Sequence, residues 1–313
     1  AFGRSRAARI RRTGGGRWRL MSLTALVTGA GGQLGRELQL TTPAGWAVAA
    51  LDRATLDIAD TGSLRAAMDR VRPAAVINAA AYTAVDKAET EAELAARSNA
   101  EGPAVLAGAC AELGIRLVHI STDFVFDGAA SRPYRPADAT GPLGEYGRSK
   151  LAGEQGTQAA NPAALILRTG WVYSRFGNNF VKTMLRLMAE RDQLNVVVDQ
   201  VGTPTWAHGL ALTAWAGLRH EDAHGIYHWS DAGVCSWYDF AVAIQEEALA
   251  LGLLQREIAI SPIPASDYPT PAARPSYSVL DKSSTCRDLD VTLTHWRAHL
   301  RAMLVDLKEN SDG

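Results

Sequence analysis

The chain has 313 residues, of which 47% are hydrophobic and 21% charged, a composition typical of globular proteins and long enough for one large α/β domain. The formal net charge is -1, so no bulk charge favours nucleic acid or an anionic membrane as a partner. No apolar run approaches the ~20 residues that span a bilayer. Three widely spaced cysteines lack metal-ligand and CxxC spacing, which predicts reduced thiols in a cytoplasmic protein.

The first twenty residues differ in composition from the rest. Seven are arginine, and aspartate and glutamate are absent. A transit peptide is one interpretation, but the amphipathic order and serine-rich stretch of such peptides are lacking. We expect residues 1–21 to be a disordered extension, with Met21 as the natural start.

Strand and helix patterns alternate over residues 22–171. Short apolar runs predict strands at 24–29, 47–51, 75–78, 116–120 and 165–168. Helical patterns lie between them at 33–40, 61–71, 89–113 and 145–159. This alternation predicts an α/β fold, a Rossmann-type doubly wound parallel sheet that binds NAD(P) beyond the carboxyl ends of its strands.

After Trp171 the pattern becomes less regular. Helices are predicted at 179–190, 207–218 and 237–251, and a strand near 225–229 returns to the sheet. Prolines then cluster between 262 and 275. We expect residues 172–308 to form mainly a smaller α/β lobe that caps the substrate, interleaved with the first domain.

A glycine motif follows the first predicted strand. Gly29, Gly32 and Gly35 form GxxGxxG between that strand and the next helix. The first glycine permits a tight turn, the second lets backbone amides approach a pyrophosphate, and the third lets the helix pack closely. The strand–turn–helix context favours dinucleotide binding over a plain turn.

The second strand ends in an acidic residue, Asp52, where a carboxylate typically meets the adenosine ribose. It favours NADH, whereas the adjacent Arg53 can pair with the 2′-phosphate of NADPH; a solvated Asp-Arg turn is the alternative. We expect both cofactors to be used. In the following loop, Asp57 and Ile58 are candidates for the adenine site.

The catalytic motif is YxxxK, formed by Tyr146 and Lys150 on one face of a predicted helix. The ammonium group is expected to lower the phenol pKa, so that Tyr146 acts as general acid, while Lys150 also holds the nicotinamide ribose. Ser121 and Thr122 end the fourth strand and bring hydroxyls to the same crevice. The alternative is a capping Ser-Thr turn with a solvent-facing tyrosine.

These segments, with DQVGTPTWA and YPTPAARP in the second half, resemble the extended short-chain dehydrogenase/reductase superfamily and, within it, the dTDP-4-dehydrorhamnose reductase family. The resemblance covers nearly all of residues 22–305. It implies reduction of the C4 ketone of dTDP-4-dehydro-L-rhamnose by NADPH or NADH. The nucleotide sugar would be the partner molecule.

The resemblance also implies residue roles. Tyr146 would be the proton donor, Lys150 its partner and Thr122 the hydroxyl that tunes its pKa. Implied cofactor contacts are Gly32, Gln33, Leu34, Asp52, Asp57, Ile58, Ala81, Tyr82 and Thr83. Implied substrate contacts are Thr122, Asp123 and Trp171, and we add Arg274 as a candidate for a phosphate. A core position for Trp171 is the alternative to a sugar-stacking platform.

Two other activities occur among related proteins. Dehydratases carry Asp-Glu after this threonine, and their glutamate is a base in elimination, whereas here Phe124 follows Asp123. Dehydration is therefore disfavoured; an epimerase and a non-catalytic regulatory subunit remain alternatives.

One departure from the resemblance concerns a metal site. Some family members form a dimer around magnesium held by glutamates. Here Glu37 is present, but His208 occupies a second glutamate position. Because magnesium prefers oxygen ligands, we expect no metal, and a monomer or weak homodimer.

Overall fold

The structure, a computed structural model, describes residues 10–12, 18–20 and 22–310. Strands β1 (Ile10–Arg12) and β2 (Trp18–Leu20) pair antiparallel. Both lie within the segment predicted to be a disordered extension. The remaining residues up to Met21 lie outside the described ones, so that prediction stays a prediction.

The strands after β2 are mostly short. They are β3 (Leu23–Thr28), β4 (Trp46–Leu51), β5 (Ala75–Asn78), β6 (Arg116–Thr122), β7 (Leu165–Thr169), β8 (Val172–Tyr173), β9 (Gln193–Val197), β10 (Val201–Gly202), β11 (Thr205–Trp206), β12 (Gly225–His228), β13 (Cys235–Ser236) and β14 (Ala259–Ile263).

The helices are α1 (Gln33–Leu40), α2 (Thr61–Val71), α3 (Val85–Ala88), α4 (Ala92–Ala96), α5 (Gly102–Glu112), α6 (Glu145–Ala160), α7 (Phe180–Glu190), α8 (Ala207–Arg219), α9 (Trp237–Ala250), α10 (Ser283–Asp288) and α11 (Trp296–Glu309). The prediction that residues 89–113 are largely helical is confirmed, and the helical stretch has three parts. The structure has α4, a π-helical turn at Arg97–Glu101 and α5 there.

Six parallel strands form the central sheet in the order β12-β7-β6-β5-β3-β4. Leu38 of α1 and Trp215 of α8 belong to one apolar core cluster, and Leu64 of α2 and Leu106 of α5 belong to another. The doubly wound fold predicted from the sequence is confirmed. After β3 the chain adds β4 on one side, and it then adds β5, β6 and β7 on the other side. The strand order therefore reverses between β3 and β5. In such sheets, ligands bind beyond the carboxyl ends of the strands at this switch point.

A third apolar cluster lies in the second half of the chain. It joins α7, α9 and α11 through residues such as Met188, Phe240 and Leu300. The predicted return to the sheet is confirmed, because β12 pairs with β7. Pro262, in the proline-rich stretch, lies in β14, which pairs with β9. That pair of strands was not predicted from the sequence.

Cys110, Cys235 and Cys286 are free thiols. Among the described residues, no helix has the length and hydropathy needed to span a membrane.

Candidate active site

The glycine loop between β3 and α1 combines tight packing with open access. Gly29 has a φ of +66°, and a Cβ there would lie 2.6 Å from the carbonyl oxygen of Ala79. A Cβ on Gly35 would lie 2.7 Å from the Ala30 Cα atom. Gly31, by contrast, has no atom within 4 Å of such a Cβ, and Gly32 meets only the Gly29 carbonyl. The loop is therefore closed towards the sheet and open at the start of α1.

A cavity of about 870 Å³ runs from this loop to the start of α6. The residues predicted from the sequence to contact cofactor or substrate line it, with one exception, Arg274. Those lining it are Gly29, Gly32, Gln33, Leu34, Gly35, Asp52, Asp57, Ile58, Ala81, Tyr82, Thr83, Thr122, Asp123, Tyr146, Lys150 and Trp171. The fold thus brings both predicted motifs to one crevice, at the carboxyl edge of the sheet.

One end of the cavity, where the predicted adenine contact Asp57 lies, carries acidic and basic side chains. The Asp57 carboxylate forms an ion pair with Arg97 at 2.7 Å, and this hydrogen bond lowers the pKa of Asp57. Arg97 also lines the cavity. Arg97 was not predicted from the sequence, because it lies in the π-helical turn, which no local pattern indicated.

Tyr146 lies beside Thr122 at the other end of the cavity. Burial raises the pKa of the phenol to about 12, while the Thr122 hydroxyl acts in the opposite direction. The predicted lowering of this pKa by Lys150 is not what the structure gives, because desolvation is the largest effect in this site. A phenol with a raised pKa is protonated at neutral pH, the form that a proton donor needs.

Lys150 is buried one helical turn from Tyr146. Its ammonium nitrogen donates a hydrogen bond to the Ile120 carbonyl oxygen at 2.6 Å. Burial lowers the Lys150 pKa to about 8, and the nearby Glu154 carboxylate acts in the opposite direction. The ammonium form is therefore favoured at neutral pH and lost under mildly alkaline conditions.

Asp123 is a buried carboxyl group next to the reactive hydroxyls. The Thr122 hydroxyl donates to its Oδ1 at 3.0 Å. Burial raises the Asp123 pKa to about 6, and the nearby Ser278 and Thr122 hydroxyls oppose that increase. The Asp123 carboxyl group is therefore mainly ionised at neutral pH, and burial makes this charged form less stable than it is in water.

A buried ion pair supports this edge of the sheet. Glu154 of α6 accepts two hydrogen bonds from Arg168 of β7, at 2.8 and 2.7 Å, and one from the Ser121 hydroxyl of β6 at 2.5 Å. The Arg168 and Glu154 side chains are 2% and 1% exposed. The pair connects α6 to two strands, and sequence reasoning did not find it because the partners lie in separate elements.

Asn99 also fixes a wall of the cavity. Its side chain exchanges hydrogen bonds with the Tyr82 backbone, at 2.8 and 3.0 Å, and donates to the Ser149 hydroxyl at 3.1 Å. The Tyr82 hydroxyl, in turn, donates to Glu91. The loop after β5 is therefore held against α6.

Trp171 has the left-handed φ of 52° and lies two residues after the end of β7. Its indole is stacked on that of Trp237, with ring centroids 3.4 Å apart and an interplanar angle of 3°. It both lines the cavity and packs against the apolar cluster of the second lobe. Packing in the core, the alternative made from the sequence, therefore describes one side of this residue, and its role as a sugar-stacking platform stays a prediction.

Two further predicted positions lie elsewhere. Arg274 forms an ion pair with Asp86 at 2.9 Å and does not line the cavity. Glu37 is buried, accepts a hydrogen bond from Ser174 at 2.7 Å and lies 3.3 Å from the His208 Nδ1 atom. Within the part of the chain that the structure describes, no cluster of three or more histidine, cysteine or acidic side chains could hold a metal ion.

The fold and cavity define a class: a doubly wound α/β protein with a dinucleotide-type glycine loop and a YxxxK pair in one crevice. The family model described as "RmlD substrate binding domain" matches residues 23–309, and the chain belongs to this family.

Several named proteins are similar over nearly the whole chain. A dTDP-4-dehydrorhamnose reductase from Aggregatibacter actinomycetemcomitans is 41% identical over 88% of this chain and 96% of its own. The crystal structure of a dTDP-4-dehydrorhamnose reductase from Clostridium acetobutylicum has a TM-score of 0.86 at 39% identity, covering 91% and 100% of the two chains. One from Bacillus anthracis, in complex with NADP, has a TM-score of 0.85 at 36% identity, with the same coverage.

Proposed function

We propose that this protein reduces the C4 ketone of dTDP-4-dehydro-L-rhamnose to the alcohol with NADPH or NADH, the last step of dTDP-L-rhamnose synthesis. The observation that carries the proposal is the convergence of Thr122, Tyr146 and Lys150 on the cavity that the glycine loop also lines. Relatives with the printed name dTDP-4-dehydrorhamnose reductase support the substrate, and the Bacillus anthracis relative supports the cofactor.

The residues fit a nicotinamide dinucleotide. Gly31 and Gly32 leave open space at the start of α1, where backbone amides and the helix dipole favour a pyrophosphate. Asp52 and Asp57 with Ile58 would receive the ribose and adenine, and Lys150 the nicotinamide ribose. When bound, the reduced nicotinamide supplies a hydride to the ketone carbon.

Tyr146 supplies the proton in this mechanism. As negative charge develops on the ketone oxygen, the phenol donates its proton. The Thr122 hydroxyl would turn its single O–H from Asp123 to the ketone oxygen and so hold that oxygen in line with the phenol. The Lys150 ammonium stabilises the tyrosinate that forms, because an opposite charge nearby favours the ionised phenol. General acid catalysis of this kind contributes about 10²–10⁴-fold.

The substrate contacts proposed are Thr122, Asp123 and Trp171. The Thr122 hydroxyl already donates to Asp123, so both groups are fixed before the sugar enters. The part of the Trp171 indole that lines the cavity would contact the sugar ring, since one face is covered by Trp237. Arg274 stays a candidate for a substrate phosphate, and would have to exchange its partner Asp86 for that phosphate.

One observation separates reduction from dehydration. The Phe124 ring packs edge-on against Tyr146, with centroids 5.5 Å apart, where an eliminating enzyme would need a base. An apolar ring cannot remove a proton. An epimerase remains the second candidate, because it would use the same tyrosine and lysine.

The assembly and location are also part of the proposal. We propose a monomer or weak homodimer in the cytoplasm. The pairing of Glu37 with Ser174 and His208 inside one chain supports it, since that carboxylate has partners without a metal or a second subunit.

The test is cofactor stoichiometry. Purified protein is mixed with dTDP-4-dehydrorhamnose and NADPH or NADH, and nicotinamide absorbance is followed while the sugar product is identified. We expect one cofactor oxidised for each dTDP-L-rhamnose formed. Conversion of the sugar without net cofactor oxidation would indicate an epimerase, and binding without conversion a non-catalytic subunit.

A further inference from the structure

Glu154 lies on the same face of α6 as Tyr146 and Lys150, one helical turn beyond the lysine. Its side chain is buried, and both of its carboxylate oxygens accept hydrogen bonds. Arg168 of β7 donates to both oxygens, and the Ser121 hydroxyl of β6 donates to Oε1. Three donors from two strands fix the orientation of this carboxylate, so its negative charge has a defined position.

The end of β6 is bound to α6 at two consecutive residues. The Ile120 carbonyl oxygen accepts a hydrogen bond from the Lys150 ammonium at 2.6 Å, and the Ser121 hydroxyl donates to Glu154 at 2.5 Å. The residue that follows, Thr122, is the proposed substrate contact. A shift of α6 along β6 would break both hydrogen bonds. Glu154 therefore helps to determine where the Lys150 ammonium lies relative to the end of the strand.

Three elements bring titratable groups to the surroundings of Lys150. On α6, Glu154 is the carboxylate that favours the charged lysine, and Tyr146 is neutral because its pKa is raised to about 12. On β6, burial and the Lys150 charge lower the pKa of His119, so that this ring is neutral too. On β7, Arg168 carries a positive charge and is paired with Glu154. Glu154 is thus the anion that opposes the effect of burial on Lys150.

The effect of this anion matters because Lys150 is near the limit at which it stays charged. Burial alone would remove its proton at a still lower pH, since an isolated ammonium is unfavourable in an apolar interior. The Lys150 pKa is about 8 with the Glu154 carboxylate present. An opposite charge nearby changes a pKa by about 1–3. Without Glu154, much of the protein would hold a neutral lysine at neutral pH.

We propose that Glu154 is a positioning residue for Lys150: its carboxylate, held by Arg168 and Ser121, is the buried counter-charge that keeps the ammonium at the end of β6. This inference rests on the proposed function only in giving Lys150 its part in the reduction. A buried ion pair that serves packing alone can be replaced by apolar residues of similar volume. A counter-charge cannot be replaced in this way without an effect on Lys150.

The test measures the pKa of Lys150 directly, so that it needs neither the cofactor nor the sugar. Lysine labelled with 13C at Cε is incorporated into the full chain, and the NMR chemical shifts are followed from about pH 6 to about pH 11. The Lys150 signal is identified by its loss in Lys150→Arg. Few signals are expected, because the chain has five lysines: Lys87, Lys150, Lys182, Lys282 and Lys308.

Two variants remove the carboxylate. Glu154→Gln keeps the shape of the side chain, and Glu154→Gln combined with Arg168→Met leaves no buried charge of this pair without a partner. Glu190→Gln is the matched control, since it removes the carboxylate of an exposed ion pair with Arg186 on α7. Melting temperatures and the signals of the other lysines show that each variant is folded.

We expect the Lys150 pKa to fall by at least about 1 in Glu154→Gln and in the double variant, and to be unaltered in Glu190→Gln. The alkaline decline of kcat/KM should move to lower pH by the same amount. An unaltered Lys150 pKa in the folded double variant would overturn the proposal and make Glu154 a structural residue alone. A lowered pKa in a protein that does not reduce the sugar would refute the proposed function and leave the counter-charge standing.

Discussion

The indoles of Trp171 and Trp237 are stacked 3.4 Å apart and almost parallel, which joins the end of a sheet strand to the first residue of α9. Because Trp171 also lines the cavity, this stack connects the second lobe to the site. The Gly202 backbone lies against the same indole, and a Cβ there would be 2.6 Å from the Trp171 Cε2 atom.

Gly202→Ala should therefore displace Trp171. If the indole contacts the sugar, KM should rise or kcat fall about tenfold or more, since small misplacements at a reacting site have large effects. Gly108→Ala is the control, because no atom lies within 4 Å of its new Cβ. A lower melting temperature with unaltered kinetics would assign Trp171 to the core alone.

Asp123→Asn should stabilise the protein while reducing activity. The folded-state pKa is raised from 3.8 to about 6, so the charged form is destabilising above pH 6, and the effect disappears below pH 4. The gain at pH 8 should be of order 3 kcal/mol. Urea unfolding at pH 8 and pH 4 measures it.

Asp127→Asn is the control for that comparison. A hydrogen bond from Tyr134 lowers the Asp127 pKa, so losing this carboxylate should not stabilise the fold. An Asp123→Asn variant less stable than the unmodified protein at pH 8 would show that the carboxylate is not strained by burial.

Arg168→Met should lower the free energy of unfolding by about 3–5 kcal/mol, because it leaves the Glu154 charge buried without its partner. Adding Glu154→Met should restore much of that loss. Arg186→Met removes the exposed pair with Glu190 and should change stability by less than about 0.5 kcal/mol. Equal effects of the two arginine substitutions would contradict this account of the buried pair.

Activity should fall as pH rises through about 8. The folded-state pKa of Lys150 is lowered from 10.5 to about 8, so the ammonium that supports Tyr146 is lost above that pH. The pH dependence of kcat/KM reports such groups in the free enzyme. In Lys150→Arg, whose guanidinium stays charged, the residual activity should lack this decline; an unaltered decline would assign it to another group.

Local patterns predicted the central fold well. The helix bounds 33–40 and 61–71 and the strand 75–78 agree with the structure, because apolar periodicity and glycine turns are local signals. The β9–β14 pair was missed, since its strands are far apart in the chain and one contains Pro262.

The site was predictable where a motif fixes its geometry. Tyr146 and Lys150 are one helical turn apart in any helix, and both line the cavity. The Glu154–Arg168 pair and the contact of Arg36 with Phe176 depend on how separate elements pack. The direction of the Tyr146 pKa shift was wrong because desolvation depends on burial, which the motif does not specify.

The most direct test of the central claim follows a label. NADPH carrying deuterium on the transferable position of nicotinamide C4 is incubated with dTDP-4-dehydrorhamnose, with the unmodified protein or with Tyr146→Phe. The unmodified protein should place one deuterium on C4 of dTDP-L-rhamnose for each cofactor oxidised. Tyr146→Phe should lower the rate by about 10²–10⁴-fold with cofactor affinity nearly unchanged. Deuterium retained in the cofactor while the sugar is converted, or a Tyr146→Phe variant with unaltered kcat, would contradict the account.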